Sequence, residues 1–133
     1  MAKRYLLDTN IVIAGIRGHK GVLSHFDKIE PGRLVLSSIV VGELLTGVEK
    51  SDRPEQSRRA FEGITQQIGI EPVDETVAEQ YAAVRAALEA RGLSIGVNDT
   101  WIAAHGLVLG ATVVTDNMRE FSRVAGLLTE NWM

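Results

Sequence analysis

The stretch from Ile95 to Phe121 constrains this chain more than any other. It reads Ile-Gly-Val-Asn-Asp-Thr-Trp-Ile-Ala-Ala-His-Gly-Leu-Val-Leu-Gly-Ala-Thr-Val-Val-Thr-Asp-Asn-Met-Arg-Glu-Phe, which predicts loop, helix, tight turn, strand and loop. Asn98 suits an N-cap, and Asp99 falls in the first turn, where a carboxylate favours the helix dipole. The helix from Asn98 to Leu109 is apolar nearly all round, with His105 as its one polar interior residue. Such a helix is covered on both sides. A sheet supplies one cover; in a chain this short a second subunit is the expected source of the other, which predicts a homodimer. Gly110 stands where a helix stops in the left-handed conformation. Ala111 to Thr115 is then a β-branched run with the composition of a buried strand, ended by Asp116 and Asn117. In α/β folds, ligands bind beyond the carboxyl ends of the strands, and Asp116 is placed at such an end.

The N-terminal end repeats this arrangement. Arg4 to Leu7 leads into Asp8, and Tyr-Leu-Leu shows no alternation, as expected of a parallel strand buried on both faces. Ile11, Val12, Ile13 and Ile16 follow as a short helix capped by Thr9 or Asn10, with a second helix from Lys20 to Ile29. Pro31-Gly32 is a turn. Arg33 to Leu36 is the next strand, and Ser37-Ser38 caps a helix from about Ile39 to Lys50 that carries Glu43 among apolar neighbours. Glu55 to Ile68 reads as a polar helix with a narrow apolar stripe. Ile70 to Val73 is a brief strand whose Pro72 demands an edge position. Asp74 caps a long helix that Gly92 ends. After Asp116, Arg119 to Val124 forms a helical turn and Leu127 to Trp132 a final short strand. Strands alternate with helices throughout, so the fold class is α/β with a mainly parallel sheet flanked by helices. At 133 residues, without linker or repeat, residues 1–133 form one domain.

Four carboxylates stand at the edges of the most apolar segments: Asp8, Glu43, Asp99 and Asp116. Each has an ordinary reading. Asp8 caps a helix, Glu43 is a solvated helix residue, Asp99 serves the dipole and Asp116 a turn. Their common position beside apolar segments favours a site. If the strands of Asp8 and Asp116 are parallel neighbours, their carboxylates converge, and carboxylates that close must protonate or share a cation. No lysine or arginine adjoins Asp8 or Asp99 in the sequence. Hard oxygen ligands select Mg²⁺ or Mn²⁺, ions that activate water and stabilise charge in phosphodiester hydrolysis. Thr9 and Thr115 are placed to hydrogen-bond site carboxylates or to cap. Arg119 and Arg123 are candidates for phosphate contact, and ordinary surface charge fits them equally. His105 reads as a core or interface residue, His19 and His25 as surface residues.

Other chemistries are excluded. The chain has no cysteine, hence no disulfide, zinc ribbon or thiol nucleophile, which fits a reducing compartment and predicts a cytoplasmic protein. Its start lacks the apolar core of a signal peptide, and no apolar run reaches the ~20 residues that span a bilayer, so no membrane partner is expected. No nucleophile elbow or glycine-rich phosphate loop is present. A phospho-accepting receiver domain needs a lysine ending a late strand, and no lysine follows Lys50. A net charge of −3 restricts nucleic-acid binding to a local basic patch or bound metal.

Leu-Leu-Asp-Thr-Asn, Ser-Ser-Ile-Val-Val-Gly-Glu-Leu, Ile-Gly-Val-Asn-Asp-Thr-Trp-Ile-Ala-Ala-His and Val-Val-Thr-Asp-Asn-Met-Arg-Glu-Phe, in this order, resemble the PIN-domain ribonucleases. More narrowly, they resemble the VapC toxins of type II toxin–antitoxin systems. The resemblance runs from Tyr5 to Trp132. It implies a PIN-like fold, an endoribonuclease dependent on Mg²⁺ or Mn²⁺, and Asp8, Glu43, Asp99 and Asp116 as its catalytic metal ligands. It also implies RNA as substrate, transfer RNA foremost, and a neutralising VapB-type antitoxin through which alone promoter DNA is bound. The antitoxin is expected to lay an apolar helix in a groove beside the Ile39 to Val48 helix, with a lysine or arginine reaching the acids. Val97 and Thr100-Trp101 depart from the usual residues of that family, which bears on access more than on chemistry. A PIN fold that has lost catalysis is disfavoured, because all four acids are present.

Overall fold

The computed structural model describes residues 2–133. Five short strands form one parallel sheet: β1 (Tyr5–Leu7), β2 (Leu34–Ser37), β3 (Gly69–Glu71), β4 (Thr112–Val114) and β5 (Thr129–Glu130), in the order β3-β2-β1-β4-β5. Helices follow the strands: α1 (Thr9–Ile16) and α2 (Lys20–Lys28) after β1, α3 (Ser38–Glu49) and α4 (Pro54–Thr65) after β2, α5 (Glu75–Ala90) and α6 (Val97–Leu109) after β3, and α7 (Met118–Phe121) after β4. The sheet is therefore wound outward in both directions from β1 and β4, and the crevice of such a sheet lies where these two strands part. Leu7 pairs with Val114, and the Asp8 N–H bonds Val114 O at 2.9 Å, so the residues after both strands leave the sheet side by side.

The three central strands, β2, β1 and β4, read as mainly apolar runs because both faces are covered. Leu6, Leu7, Leu36, Val113 and Val114 have no exposure. Pro72 follows β3 at the sheet edge, as its missing N–H requires. Gly110 takes φ +63° and lets α6 turn into β4 within a few residues, its N–H bonded back to Leu107 O.

Two expectations about α6 change. The helix begins one residue earlier than Asn98, at Val97, with Gly96 at the N-cap and no side chain capping it; the Gly96 carbonyl accepts both the N–H and the hydroxyl of Thr100. Asp99 keeps its first-turn place. The second cover of α6 is also internal. It is α5, joined to α6 by a stack of Tyr81 on Trp101 with ring centroids 3.9 Å apart. The apolar character of α6 therefore needs no second subunit, and the homodimer loses the premise from which the sequence predicted it.

His25 differs from its expected surface place. It is half-buried and stacked on Trp132 at 4.6 Å, inside a cluster with Tyr5 and Phe26. The C-terminal residues fold back over α2 so closely that a Cβ on Gly21 would stand 2.5 Å from Trp132 O.

Thr112, inside β4, carries a buried hydroxyl with no hydrogen-bond partner among the described residues. A buried unsatisfied hydroxyl costs about 1 kcal/mol or more. Thr112→Val keeps the shape and removes the polarity, so it is expected to raise the melting temperature by roughly 4 °C. Thermal unfolding of the two proteins measures this, and a fall in melting temperature would show that the hydroxyl contributes stability.

Candidate active site

The local backbone explains why acids gather at this edge of the sheet. β1 gives way directly to α1, and Asp8 sits at the junction in extended conformation, its Oδ1 accepting the Thr9 N–H at 2.8 Å as the helix N-cap. The sequence leaves the cap open between Thr9, Asn10 and Asp8; Asp8 takes the place, the last residue in extended conformation before the helix. Its Oδ2 accepts the Thr115 hydroxyl at 2.8 Å, from the end of the neighbouring strand. Asp8 is buried, 7% exposed.

Thr9 also donates its hydroxyl to Glu43 Oε1 at 3.1 Å, which turns the half-buried Glu43 of α3 toward the same edge. Thr115 Oγ1 in turn accepts the Asn117 N–H at 3.0 Å. The Asn117 amide donates to Asp99 Oδ2 at 3.2 Å and to Glu120 Oε2 at 2.7 Å. One chain of neutral donors thus links Glu43, Asp8, Asp99 and Glu120 across four helices and two strand ends. Asp116 is exposed at the rim and accepts from the Asn10 amide at 3.3 Å.

The electrostatics follow from burial and like charge. Burial raises the Asp8 pKa, and the Asp116 charge adds to that rise, while the bonds from Thr115 and Thr9 oppose it. Glu43 is raised by burial and by the charge of Asp8, against its bond from Thr9. Asp99 is pushed up to about 6, first by burial, then by the charges of Asp8 and Glu120 and a hydrogen bond with Glu120. None of the ion pairs among the described residues involves these acids. As the side chains stand, no three metal-ligating groups among the described residues converge on one point. Neutral donors hold the carboxylates instead, Asp99 and Glu120 sharing the Asn117 amide.

The donor set itself suits a hard divalent cation: oxygen atoms only, several of them poorly solvated, with no lysine or arginine paired to them. It does not suit a soft metal, since no cysteine is present and His105 faces away, its Nδ1 2.9 Å from Ser37 Oγ in the core.

A PIN domain family model matches residues 5–127. A protein of Haemophilus influenzae named Ribonuclease VapC2 is 40% identical over 131 residues, covering 98% of each chain. This chain belongs to the VapC family of PIN domains. A further VapC relative, from Shigella flexneri and named tRNA(fMet)-specific endonuclease VapC, is 36% identical over 129 residues, covering 97% of this chain and 98% of its own. Two solved VapBC structures share the fold closely. VapBC2 from Rickettsia felis, bound to a DNA fragment from its promoter, superposes with a TM-score of 0.91 at 34% identity, covering 97% of this chain and 98% of that one. DNA-bound VapBC from Salmonella typhimurium does so with 0.93 at 33% identity, covering 99% and 100%.

In this VapC-family chain, sequence reasoning selected Asp8, Glu43, Asp99 and Asp116, and placed Thr9 and Thr115 as partners of site carboxylates. It passed over Glu120 and the two asparagines, Asn10 and Asn117. The available signal was the Asn117-x-x-Glu120 spacing, which puts both side chains on one face of the turn after Asp116.

Proposed function

We propose that the chain, residues 1–133 acting as one PIN domain, is the toxin of a type II toxin–antitoxin pair and hydrolyses RNA phosphodiester bonds in the cytoplasm. The observation that carries this reading is the acidic edge between β1 and β4, where partly desolvated carboxylates stand together without a basic partner. Asp8 and Asp99 would hold Mg²⁺ or Mn²⁺, with Glu43 and Asp116 completing the set. Such a cation supplies Lewis-acid stabilisation of the phosphoryl oxygens and a water of lowered pKa. The chain's own residues do the positioning. Thr115 and the Thr9 N–H fix both Asp8 oxygens, the Thr9 hydroxyl orients Glu43, and Asn117 orients Asp99. The name of the Shigella flexneri relative makes transfer RNA the first substrate class to test.

An antitoxin is part of the same reading. A cavity of about 270 Å³ runs between α1, α3 and α4, walled by Val12, Ile16, Leu44, Val48 and Phe61, and Glu43 stands on its rim. This is an apolar groove that ends at an acid of the site, the shape that receives an amphipathic helix carrying one basic side chain. DNA binding would then belong to the antitoxin. Among the described residues, no helix is long and apolar enough to cross a membrane.

The test is incubation of purified chain with total transfer RNA and with ribosomal RNA in Mg²⁺, followed by sequencing of the ends. Defined cleavage sites are expected, and they should vanish on addition of the protein encoded beside this chain. Intact RNA under all conditions would refute the proposal.

A further inference from the structure

A second cavity, of about 410 Å³, adjoins the apolar groove, and Ile13 and Arg17 line both. Its size lies within the range of small-molecule pockets, about 300–1,000 Å³. Asp116 and Asn10, which are hydrogen-bonded to each other, form the wall it shares with the acidic edge. Its other walls differ in chemistry from everything else at that edge. Arg17 lies at the C-terminal end of α1, exposed, and among the described residues it has no carboxylate partner and donates no side-chain hydrogen bond. His19 is half-buried, and its Nδ1 accepts the Val22 N–H at 3.3 Å, so the neutral ring carries its proton on Nε2 as a free donor. Ile13, Ala14 and Met133 supply an apolar side. Gly18, at φ +85°, has nothing within 4 Å of a Cβ position, so the passage between Arg17 and His19 stays open.

An RNA strand approaching this edge meets a row of carboxylates that repel its phosphates. A bound cation relieves this at one phosphate only, and the neighbouring nucleotide needs its own cationic and apolar contacts. The geometry points to the cavity of Arg17 and His19 as a nucleotide subsite, which seats the RNA nucleotide next to the scissile phosphate. Arg17 pairs with that nucleotide's backbone phosphate, His19 Nε2 donates to a phosphate or sugar oxygen, and the base lies against Ile13, Ala14 and Met133. Phosphate contacts of this kind set register and carry no base identity. The inference rests on the nuclease reading above and names where its substrate lies.

The test is steady-state cleavage by the full chain in Mg²⁺ of a stem-loop RNA and of a dinucleotide, whose scissile phosphate is its only phosphate. Arg17→Ala is expected to raise KM for the stem-loop about tenfold with kcat nearly unchanged, and to flatten the dependence of log affinity on log salt by about 0.7. Arg17→Lys should restore most of the affinity, since a point charge still pairs a phosphate. His19→Asn retains an acceptor for the α2 cap and withdraws the N–H donor from the Nε2 position to the shorter amide, so it should raise KM with little change in melting temperature. Dinucleotide cleavage, which lacks the neighbouring phosphate, should be equal in the wild type and both Arg17 variants. If the wild type cleaves the stem-loop and Arg17→Ala does so with unchanged KM and salt dependence, the subsite is refuted and the nuclease stands. If the wild type cleaves neither RNA, the nuclease reading falls and the subsite with it.

Discussion

Removal of divalent cations is expected to abolish RNA cleavage and to destabilise the fold at the same time. Asp99 has a pKa near 6, and Asp8 and Glu43 shift in the same direction. An acid whose folded pKa lies above its unfolded value binds more protons in the native state, so its contribution to stability falls as pH rises. For Asp99 the fall begins near the unfolded value of 3.8 and is complete above about 6. In chelator, the chain should therefore be more stable at pH 5 than at pH 8, as far as this edge is concerned. A cation held by these carboxylates binds their ionised forms, so it should stabilise most at the higher pH. At one hundred times Kd, binding to the folded state alone adds about 2.7 kcal/mol. That is roughly 10 °C for a chain of this length. Thermal unfolding at pH 5 and pH 8, with Mg²⁺ or with chelator, measures the effect, and cleavage assayed in parallel should return with either Mg²⁺ or Mn²⁺. Undiminished cleavage in excess chelator would remove the metal from the mechanism. Equal melting temperatures with and without Mg²⁺ at pH 8 would remove it from this edge.

What the sequence disclosed, and what it hid, has a physical pattern. The unalternating runs Tyr5–Leu7 and Thr112–Val114 were legible as buried parallel strands, because two covered faces leave no reason for polar positions. Their exits were legible too, since each ends in an acid. Pairing of the two strands was the one conditional step, and the register of Leu7 with Val114 satisfies it. Thr9 and Thr115 were recognised as partners for carboxylates because they adjoin Asp8 and Asp116. Glu120 escaped because the search followed acids at the borders of apolar segments, and Glu120 sits in a polar turn. Only the folding of that turn over the start of α6 brings it to Asp99. The partner of α6 escaped for a related reason. The inward face of α5, Val77, Tyr81, Val84 and Leu88, is a narrow stripe between exposed alanines, and nothing local in it says that α6 is what it covers. His25 looked exposed because its burial depends on Trp132, more than a hundred residues away. Local pattern gives the elements and the acids at their ends; contacts across the chain decide which acids act on one another.

The largest single-residue effect is expected at Asp8. It is the most buried acid of the set and the one through which the others are coupled: its charge raises both Glu43 and Asp99. Asp8→Asn preserves size. The amide oxygen can accept the Thr9 N–H, and asparagine is as good an N-cap as aspartate. The amide N–H₂ then faces Thr115 Oγ1, a hydroxyl that accepts as readily as it donates. The fold should survive, and the metal-free variant should melt at or above the wild-type temperature, because a partly desolvated charge has been removed. Activity should not survive. Loss of outer-sphere partners alone weakens metal sites about 10–100-fold, so loss of a charged ligand should reduce cleavage by more than about 100-fold. The two readouts separate the explanations. An inactive variant that keeps its melting temperature in chelator but no longer gains stability from Mg²⁺ places Asp8 at the metal. An inactive variant that has unfolded says only that the N-cap of α1 was lost, and Asp8→Ser, which keeps a capping oxygen without the charge, then repeats the test. A folded Asp8→Asn protein that cleaves RNA at the wild-type rate would refute the assignment and move the chemistry to the remaining pair, Asp99 and Glu120.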